Sequence, residues 1–318
     1  MTRVAVLDDY GSVARGLGPW ERLDGRVEVD FIAEHLDDPS ARLAPYDVVV
    51  AMRERTAFPR AVLDRLPSLR LLVTTGMMNA SIDLDAARDR GVVVCGTGSR
   101  GGPTAELTWA LVLGLVKHLR EEDAAVRAGG WQQSPGGDLD GKRLGLLGLG
   151  RLGRRVAAVG LAFGMDVVAW SANLQASDAA EAGVTRVELD DLLRTSDVVS
   201  IHLKLSDRTR GLLGARELGL MRPDALLINT SRGPIVEEPA LLDALTTGSI
   251  AGAGLDVFDI EPLPSGHPLR TAPRTLLTPH LGYATEETFR GMFAEAVEDI
   301  ESWLDGALVR VLNADGGT

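Results

Sequence analysis

The chain has 318 residues, 45% of them apolar, with 33 basic against 45 acidic side chains and a formal net charge of −12. That balance argues against nucleic acid or an anionic membrane surface as a partner, yet leaves a small anionic substrate open, since a local arginine and backbone amides outweigh a distant field. No apolar stretch reaches the length of about 18 residues that a membrane span needs. In chain order, MTRVAVLDDY runs straight into a strand-like segment and does not read as a secretory leader. Strands are expected at Val4–Asp8, Val27–Ile32, Val48–Met52, Leu69–Thr74 and Val92–Cys95, with helices such as Pro59–Leu66 and Leu84–Arg90 between them. Apolar runs separated by helices predict a parallel sheet covered on both faces. Cys95, the single cysteine, rules out an internal disulfide and fits a reducing cytoplasm; at the end of VVVCG it reads as a buried apolar residue rather than a nucleophile.

The polar, glycine-rich Gly96–Gly102 breaks the alternation, and one long helix is expected from Pro103 to about Ala128, its apolar content from Leu107 to Val116 marking it for burial between two bodies of the protein. A second series follows, with strands at Leu144–Leu147, Asp166–Trp170, Val184–Val187, Val198–Leu203, Ala225–Asn229, Ala253–Val257 and Thr275–Thr278. Helices such as Leu189–Thr195 and Pro239–Thr247 fall between them, a last helix covers Glu286 to Leu304, and the terminal ADGGT is expected to be disordered. The fold class is therefore α/β, with two doubly wound parallel-sheet domains.

The second series opens on KRLGLLGLGRLG, in which an apolar run meets Gly148, Gly150 and Gly153 at the G-x-G-x-x-G spacing, and a helix follows from Arg151 to Phe163. In a dinucleotide site Gly148 allows the tight turn, Gly150 lets a pyrophosphate approach the backbone, and Gly153 lets helix and strand pack closely. Glycine-rich turns also occur in other α/β domains, so the spacing alone does not decide.

Four further segments carry the signal: TTGMMNASIDLDAA (Thr74–Ala87), NTSRGPIVEEPAL (Asn229–Leu241), AGAGLDVFDIEPLP (Ala251–Pro264) and TPHLGYAT (Thr278–Thr285). With GLGRLG, and in this order, they resemble the D-isomer-specific 2-hydroxyacid dehydrogenase family over nearly the whole chain. The resemblance implies a nicotinamide-dependent oxidoreductase acting on a small 2-keto or 2-hydroxy acid, and a homodimer joined through the nucleotide domain and the long helix. It implies a Rossmann NAD(P)-binding domain at residues 98–283 and a discontinuous, flavodoxin-like substrate domain at 1–97 plus 284–318. The domains would close by hinging near Gly96–Gly102 and Gly282–Thr285. The family's catalytic arginine, glutamate and histidine fall on Arg232, Glu261 and His280.

Elementary chemistry asks for the same set. Hydride transfer to a 2-keto acid needs a held nicotinamide, a cation on carboxylate and carbonyl, a proton donor and a dry cleft. Arg232 supplies a planar cation that pairs hydrogen bonds to a carboxylate, His280 is the natural proton donor, and Glu261 would hydrogen-bond its ring and favour the protonated form. Each residue also has a plainer reading, as a surface charge, a solvated carboxylate or a structural ring. His202, in DVVSIHL, reads as structural or as lining the cofactor cleft, while His35, His118 and His267 read as solvent-facing or packing residues. No Cys/His or Asp/Glu cluster has metal-ligand spacing, and no metal is expected.

By the resemblance, Gly148, Gly150, Arg151, Leu152 and Gly153 contact the cofactor's phosphates, and Thr104, Thr230, Asp256 and Gly282 contact the rest of it. Asp256 would face the nicotinamide amide, or else cap a turn. Ser171 stands where an NAD-binding fold carries an acid for the ribose hydroxyls, and neither Ala172 nor Asn173 is a cation for a 2′-phosphate. NAD and NADP both stay open, with a slight lean to NAD. The substrate carboxylate would lie on the amides of Gly76–Asn79, where Met78 replaces a family glycine beside Met77. The methionines wall the pocket or face the core, and Arg53 would contact a second polar group. These features do not single out one 2-keto acid: glyoxylate, hydroxypyruvate and bulkier apolar 2-keto acids all stay open. Two competing readings are a nucleotide-sensing binding protein on the same fold and a phosphite dehydrogenase; a formate enzyme would carry glutamine at Glu261.

Overall fold

The computed structural model describes residues 1–98 and 101–314. Two compact units divide the chain, Met1–Arg100 with Ala284–Thr318 as one and Gly101–Tyr283 as the other. The first contains a sheet of β1 (Thr2–Val6), β2 (Val27–Phe31), β3 (Val48–Ala51), β4 (Leu71–Thr74) and β5 (Val93–Gly96). Every pairing in it is parallel, in the order β2-β1-β3-β4-β5, the flavodoxin-like order with its switch point at β1/β3. VVVA and LLVT are buried at every position, as strands covered on both faces must be.

The second unit holds β6 (Arg143–Leu147), β7 (Asp166–Trp170), β8 (Thr185–Arg186), β9 (Val198–Ile201), β10 (Leu226–Asn229), β11 (Gly252–Leu255) and β12 (Thr275–Leu277). Their order is β12-β11-β10-β9-β6-β7-β8, which reverses at β6 as a dinucleotide-binding sheet does. Neighbouring residues enter different buried clusters: Leu146, Val167 and Ile228 pack with Trp109 and Val156, while Leu147, Val168 and Leu227 pack with Leu193 and Leu245. The period-two alternation thus fills a core on each face. Both sheets meet the expected fold class.

The long helix does not run unbroken. It spans Gly102–Val116, and a separate helix covers Leu119–Arg127. His118 between them takes a left-handed conformation, φ 51°. The returning strand of loop terminates the first helix, because Gly137 N–H donates to Val116 O at 2.8 Å and Lys117 Nζ donates to Gly137 O at 2.6 Å. The apolar content stops at Val116, and the second helix buries none of its residues. Within its own unit the first helix packs on the helix Arg151–Ala162 and on β10 and β11.

The helix Glu286–Leu304 returns to the first unit, with Phe293 5.7 Å from the Trp20 ring. Beyond it the chain pairs alongside β5: Leu312 N–H donates to Val94 O at 2.7 Å, and the Asn313 side chain bonds Val94 N–H and Val92 O at 2.9 and 2.8 Å. Residues 315–318, in the tail expected to be disordered, and 99–100, in the expected hinge, lie outside the described residues. Cys95 is buried, which pushes its thiol up to about 12 and fits the packing role.

Asp299 is deeply buried in the first unit, 1% exposed, and Arg310 Nε donates to its Oδ1 at 3.0 Å. Burial pushes the carboxyl up to about 7 against the pull of Arg310, with Glu295 and Glu298 adding to the rise. A folded value above the ordinary carboxylate value of about 3.9 gives stability that is full below that pH and is lost as pH rises through the folded value. The thermal midpoint should therefore fall between pH 6 and pH 8. Calorimetry of Asp299→Asn should show a smaller fall; an equal one would assign the pH dependence to other groups.

Candidate active site

At the end of β6 the chain turns at Gly148, φ +103°, and Gly148 N–H donates to Trp170 O at 2.8 Å. A Cβ on Gly153 would lie 2.1 Å from Gly148 O, so only glycine lets the helix Arg151–Ala162 start this close to the turn. A Cβ on Gly150 would meet open space, and Gly150 begins the helix with no side-chain cap. The first-turn amides of Arg151, Leu152 and Gly153 and the positive end of the dipole are thereby left for a ligand. An uncapped helix start fronted by open space suits a pyrophosphate.

His202 lies beneath this turn, its N–H donating to Leu147 O at 2.7 Å and its Nε2 2.9 Å from Ser200 Oγ. Burial depresses the ring to about 4, so it is neutral at physiological pH. Ser171 follows β7 and is partly exposed. A cation does stand on the next strand, which inspection of Ala172 and Asn173 missed: Arg186 of β8 donates from Nε to Leu174 O at 3.0 Å and pairs with Glu188 at 2.8 Å.

Asp256, directly after β11, is completely buried. Its Oδ1 accepts from Thr278 Oγ1 at 2.6 Å and Leu281 N–H at 2.7 Å, its Oδ2 accepts from Gly282 N–H at 2.9 Å, and its carbonyl accepts from His280 N–H at 2.8 Å. Burial raises this carboxyl, and the three donors to its side chain oppose the rise without cancelling it. Its observed partners are those of an acid capping a turn, the plainer of its two readings. They hold His280 in the left-handed region at φ 54°.

From there His280 Nδ1 lies 2.6 Å from Glu261 Oε2, and Glu261 Oε1 accepts from Phe258 N–H at 2.9 Å. Burial works to raise the Glu261 carboxyl. The hydrogen bond and charge of His280, the Phe258 amide and the charge of Arg232 outweigh it, so the group sits below the ordinary carboxylate range. The imidazole also meets the Tyr283 ring edge-on at 5.6 Å. With Nδ1 committed to Glu261, Nε2 is the nitrogen left for proton transfer.

Arg232 lies on the turn after β10. Asn229 ties that turn, with Nδ2 donating to Arg232 O and Oδ1 accepting from Ser231 N–H, both at 3.0 Å. Arg232 Nη1 donates to Ser231 O at 2.8 Å. A Cβ on Gly233 would stand 2.1 Å from the Phe258 carbonyl carbon, so the arginine turn presses against the loop that carries Glu261. Motifs far apart in sequence thus meet in one unit. Thr104 Oγ1 donates to Gly282 O at 2.7 Å, and Thr108 Oγ1 donates to Thr104 O at 2.8 Å while lying 2.9 Å from Thr230 Oγ1. Thr108, a buried hydroxyl on an apolar helix, carried no signal in the sequence.

In the other unit Arg53, φ 53°, donates from its backbone to Thr75 Oγ1 at 2.9 Å and from Nη1 to Thr75 O at 3.2 Å, and Asn79 Nδ2 donates to Arg53 O at 2.6 Å. The β3 and β4 ends are thereby joined around Gly76. Met77 and Met78 are 48% and 70% exposed, so the core-facing reading of the methionines is not met. Among the described residues no group of histidine, cysteine or carboxylates could hold a metal, and no helix is long and apolar enough to cross a membrane.

Residues 109–282 match the family model described as D-isomer specific 2-hydroxyacid dehydrogenase, NAD binding domain. The chain is 40% identical over 281 residues to the glyoxylate reductase of Aeropyrum pernix, covering 82% of this chain and 84% of that enzyme. To the hydroxypyruvate reductase of Blautia hydrogenotrophica it is 31% identical over 325 residues, covering 98% and 99%. The solved phosphoglycerate oxidoreductase of Vibrio cholerae superposes with a TM-score of 0.92 at 34% identity, over 96% of this chain and all of that one. The site geometry, the two sheet orders and these likenesses agree: the chain belongs to the D-isomer-specific 2-hydroxyacid dehydrogenase family.

Proposed function

We propose that this protein reduces a 2-keto acid to the D-2-hydroxy acid, with glyoxylate and hydroxypyruvate, the substrates in the names of its relatives, as first candidates. The observation that carries the reading is the 2.6 Å contact of His280 Nδ1 with an ionised Glu261, beside Arg232. When bound, the nicotinamide supplies the hydride to the carbonyl carbon; the chain does the rest. Arg232 pairs with the substrate carboxylate and stabilises charge growing on the carbonyl oxygen. His280 gives that oxygen a proton from Nε2. Glu261 holds the ring by Nδ1 and offsets its positive charge.

Gly148, Gly150, Arg151, Leu152 and Gly153 are assigned to the pyrophosphate, Ser171 to the adenosine ribose, and Thr104, Thr230, Asp256 and Gly282 to the nicotinamide end. Asp256 acts there by aiming the Gly282 amide and the His280 backbone. Gly76, Met77 and Met78, with Arg53, are assigned to the substrate carboxylate and its tail: the amides of Gly76, Met77 and Met78 have no hydrogen-bond partner among the described residues. Residues 1–97 with 284–318 then form the substrate domain, and 98–283 the NAD(P) domain. NAD is the favoured cofactor over NADP, because Arg186 is already engaged by Leu174 and Glu188. A homodimer is favoured by the exposure of Leu119, Val126 and Trp131 on and after the short second helix, and a cytoplasmic location by the lone buried thiol.

Following NADH and NADPH absorbance across a panel of 2-keto acids tests the activity and the cofactor together; no turnover with any of them would sink the reading. His280→Ala should lower kcat by about 10²-fold or more while NADH binding holds, and Arg232→Lys should also be slow because a point charge cannot pair hydrogen bonds. Near-normal rates would remove either residue from its role. Gly153→Ala should weaken NADH binding by about tenfold, ~1.4 kcal/mol, read by fluorescence titration, since its Cβ would displace the turn; unaltered affinity would contradict the pyrophosphate site. Sedimentation should report a dimer, and Trp131→Asp should shift it toward monomer; a monomeric parent would discard that assignment.

A further inference from the structure

Glu261 sits in the long connection between β11 and β12, residues 256–274, whose only helical stretch is the 3-10 turn Pro268–Thr271. A connection of that length holds a carboxylate in place only where it is pinned. One pin is the contact of Gly233 with Phe258 at its start. The second lies at its far end and involves a histidine that plays no part in the chemistry described above. His267 Nδ1 accepts from Leu269 N–H at 3.3 Å, so Nε2 carries the proton and lies 3.0 Å from Glu238 Oε1. Both side chains are mostly buried. Inside the loop, His267 N–H donates to Pro264 O at 3.0 Å and Arg270 Nε donates to the same carbonyl at 2.7 Å, which makes residues 264–270 move as one piece with His267.

Glu238 begins the helix Glu238–Thr247, and only the short segment Gly233–Glu237 separates it from Arg232. The loop bearing Glu261 is therefore fastened on both sides of Glu261 to the segment bearing Arg232. An ordinary helix cap needs an acceptor alone, which serine or aspartate provides. Imidazole accepts at one nitrogen and donates at the other in the same state. The groups facing the pair are Asp259 on the same loop and, beyond it, Arg210.

The geometry points to His267 and Glu238 as a positioning pair, which holds Glu261 at hydrogen-bond distance from His280 without touching substrate or cofactor. The inference rests on the proton-donor reading of His280. Burial already raises the Glu238 and Asp259 carboxyls, with His267 pulling both down. Without the His267 donor, Glu238 is left buried and unsatisfied, and the loop gains an alternative in which Glu238 turns out to solvent.

The test is proton NMR on the full chain labelled with 15N-histidine, the His280 Nδ1–H resonance being assigned by its loss in His280→Ala. In the parent this proton should lie far downfield, as a hydrogen bond to a carboxylate requires. In His267→Ala and in Glu238→Ala it should move upfield or broaden into exchange, and kcat should fall by about tenfold or more with the Kd for NADH unchanged. Glu238→Gln, which keeps the acceptor and removes only the charge, should restore both signals. If His267→Ala does not fold, the two Glu238 variants carry the comparison. An unmoved His280 resonance in the alanine variants, or Glu238→Gln behaving like Glu238→Ala, overturns the proposal. A parent whose proton lies far downfield but which turns over none of the 2-keto acids would instead count against the enzymatic reading and leave the positioning result to stand.

Discussion

The site hangs on one buried carboxylate. Asp256 is wholly removed from water at the end of β11, and its side chain takes three hydrogen bonds from the 278–282 segment. A carboxylate taken out of water needs those donors, since one left unsatisfied there would be costly. That need obliges the chain after β12 to fold back over β11. That fold puts His280 in a left-handed conformation the residue would otherwise avoid, and puts Gly282 where Thr104 can bond its carbonyl.

Two histidines in the same unit show how environment divides one residue type into separate tasks. His202 is buried beside a hydroxyl, Ser200, with no anion at its ring, and its imidazole is held neutral. His280 faces an ionised carboxylate 2.6 Å away. The ring under the Gly148 turn is a hydrogen-bonding piece beside a hydroxyl, whereas the ring of His280 is set against a carboxylate. Glu261 is held below the ordinary carboxylate range in spite of its burial, the His280 hydrogen bond leading the influences that outweigh desolvation.

What the sequence made legible follows from how local each signal is. The strands VVVA, LLVT and LLIN announce themselves as short apolar runs, polar only at the last residue of the second and third. The turn at Gly148 is legible because its three glycines each answer a separate steric demand within six residues. Arg232, Glu261 and His280 are legible through whole motifs, with which the chemistry of the single residues agrees. The features that escaped are all set by distant neighbours. The break at His118 comes from the returning Gly137, the value of Gly233 from Phe258, and the role of Thr108 from Thr104 and Thr230. Arg186 was overlooked because parallel pairing of β7 with β8, and not sequence proximity, brings it level with Ala169 near the end of β7.

Both sheets place their candidate residues by one rule. In each, the residues proposed for ligands follow the carboxyl ends of strands: Arg53 after β3 and Gly76 after β4, then Gly148 after β6, Ser171 after β7, Thr230 after β10 and Asp256 after β11. In a parallel sheet these ends share one edge, so loops remote in sequence are neighbours with no further folding instruction. The register makes this concrete, since pairing of Ala51 with Thr74 sets Arg53 level with Gly76. Arg53 then bridges to Thr75 while Asn79 reaches back to the Arg53 carbonyl. A frame this closely tied fixes the backbone amides and leaves freedom only at the exposed thioethers of Met77 and Met78. Methionine is flexible and polarisable, so these two side chains can adapt to apolar bulk at a loop whose backbone is held.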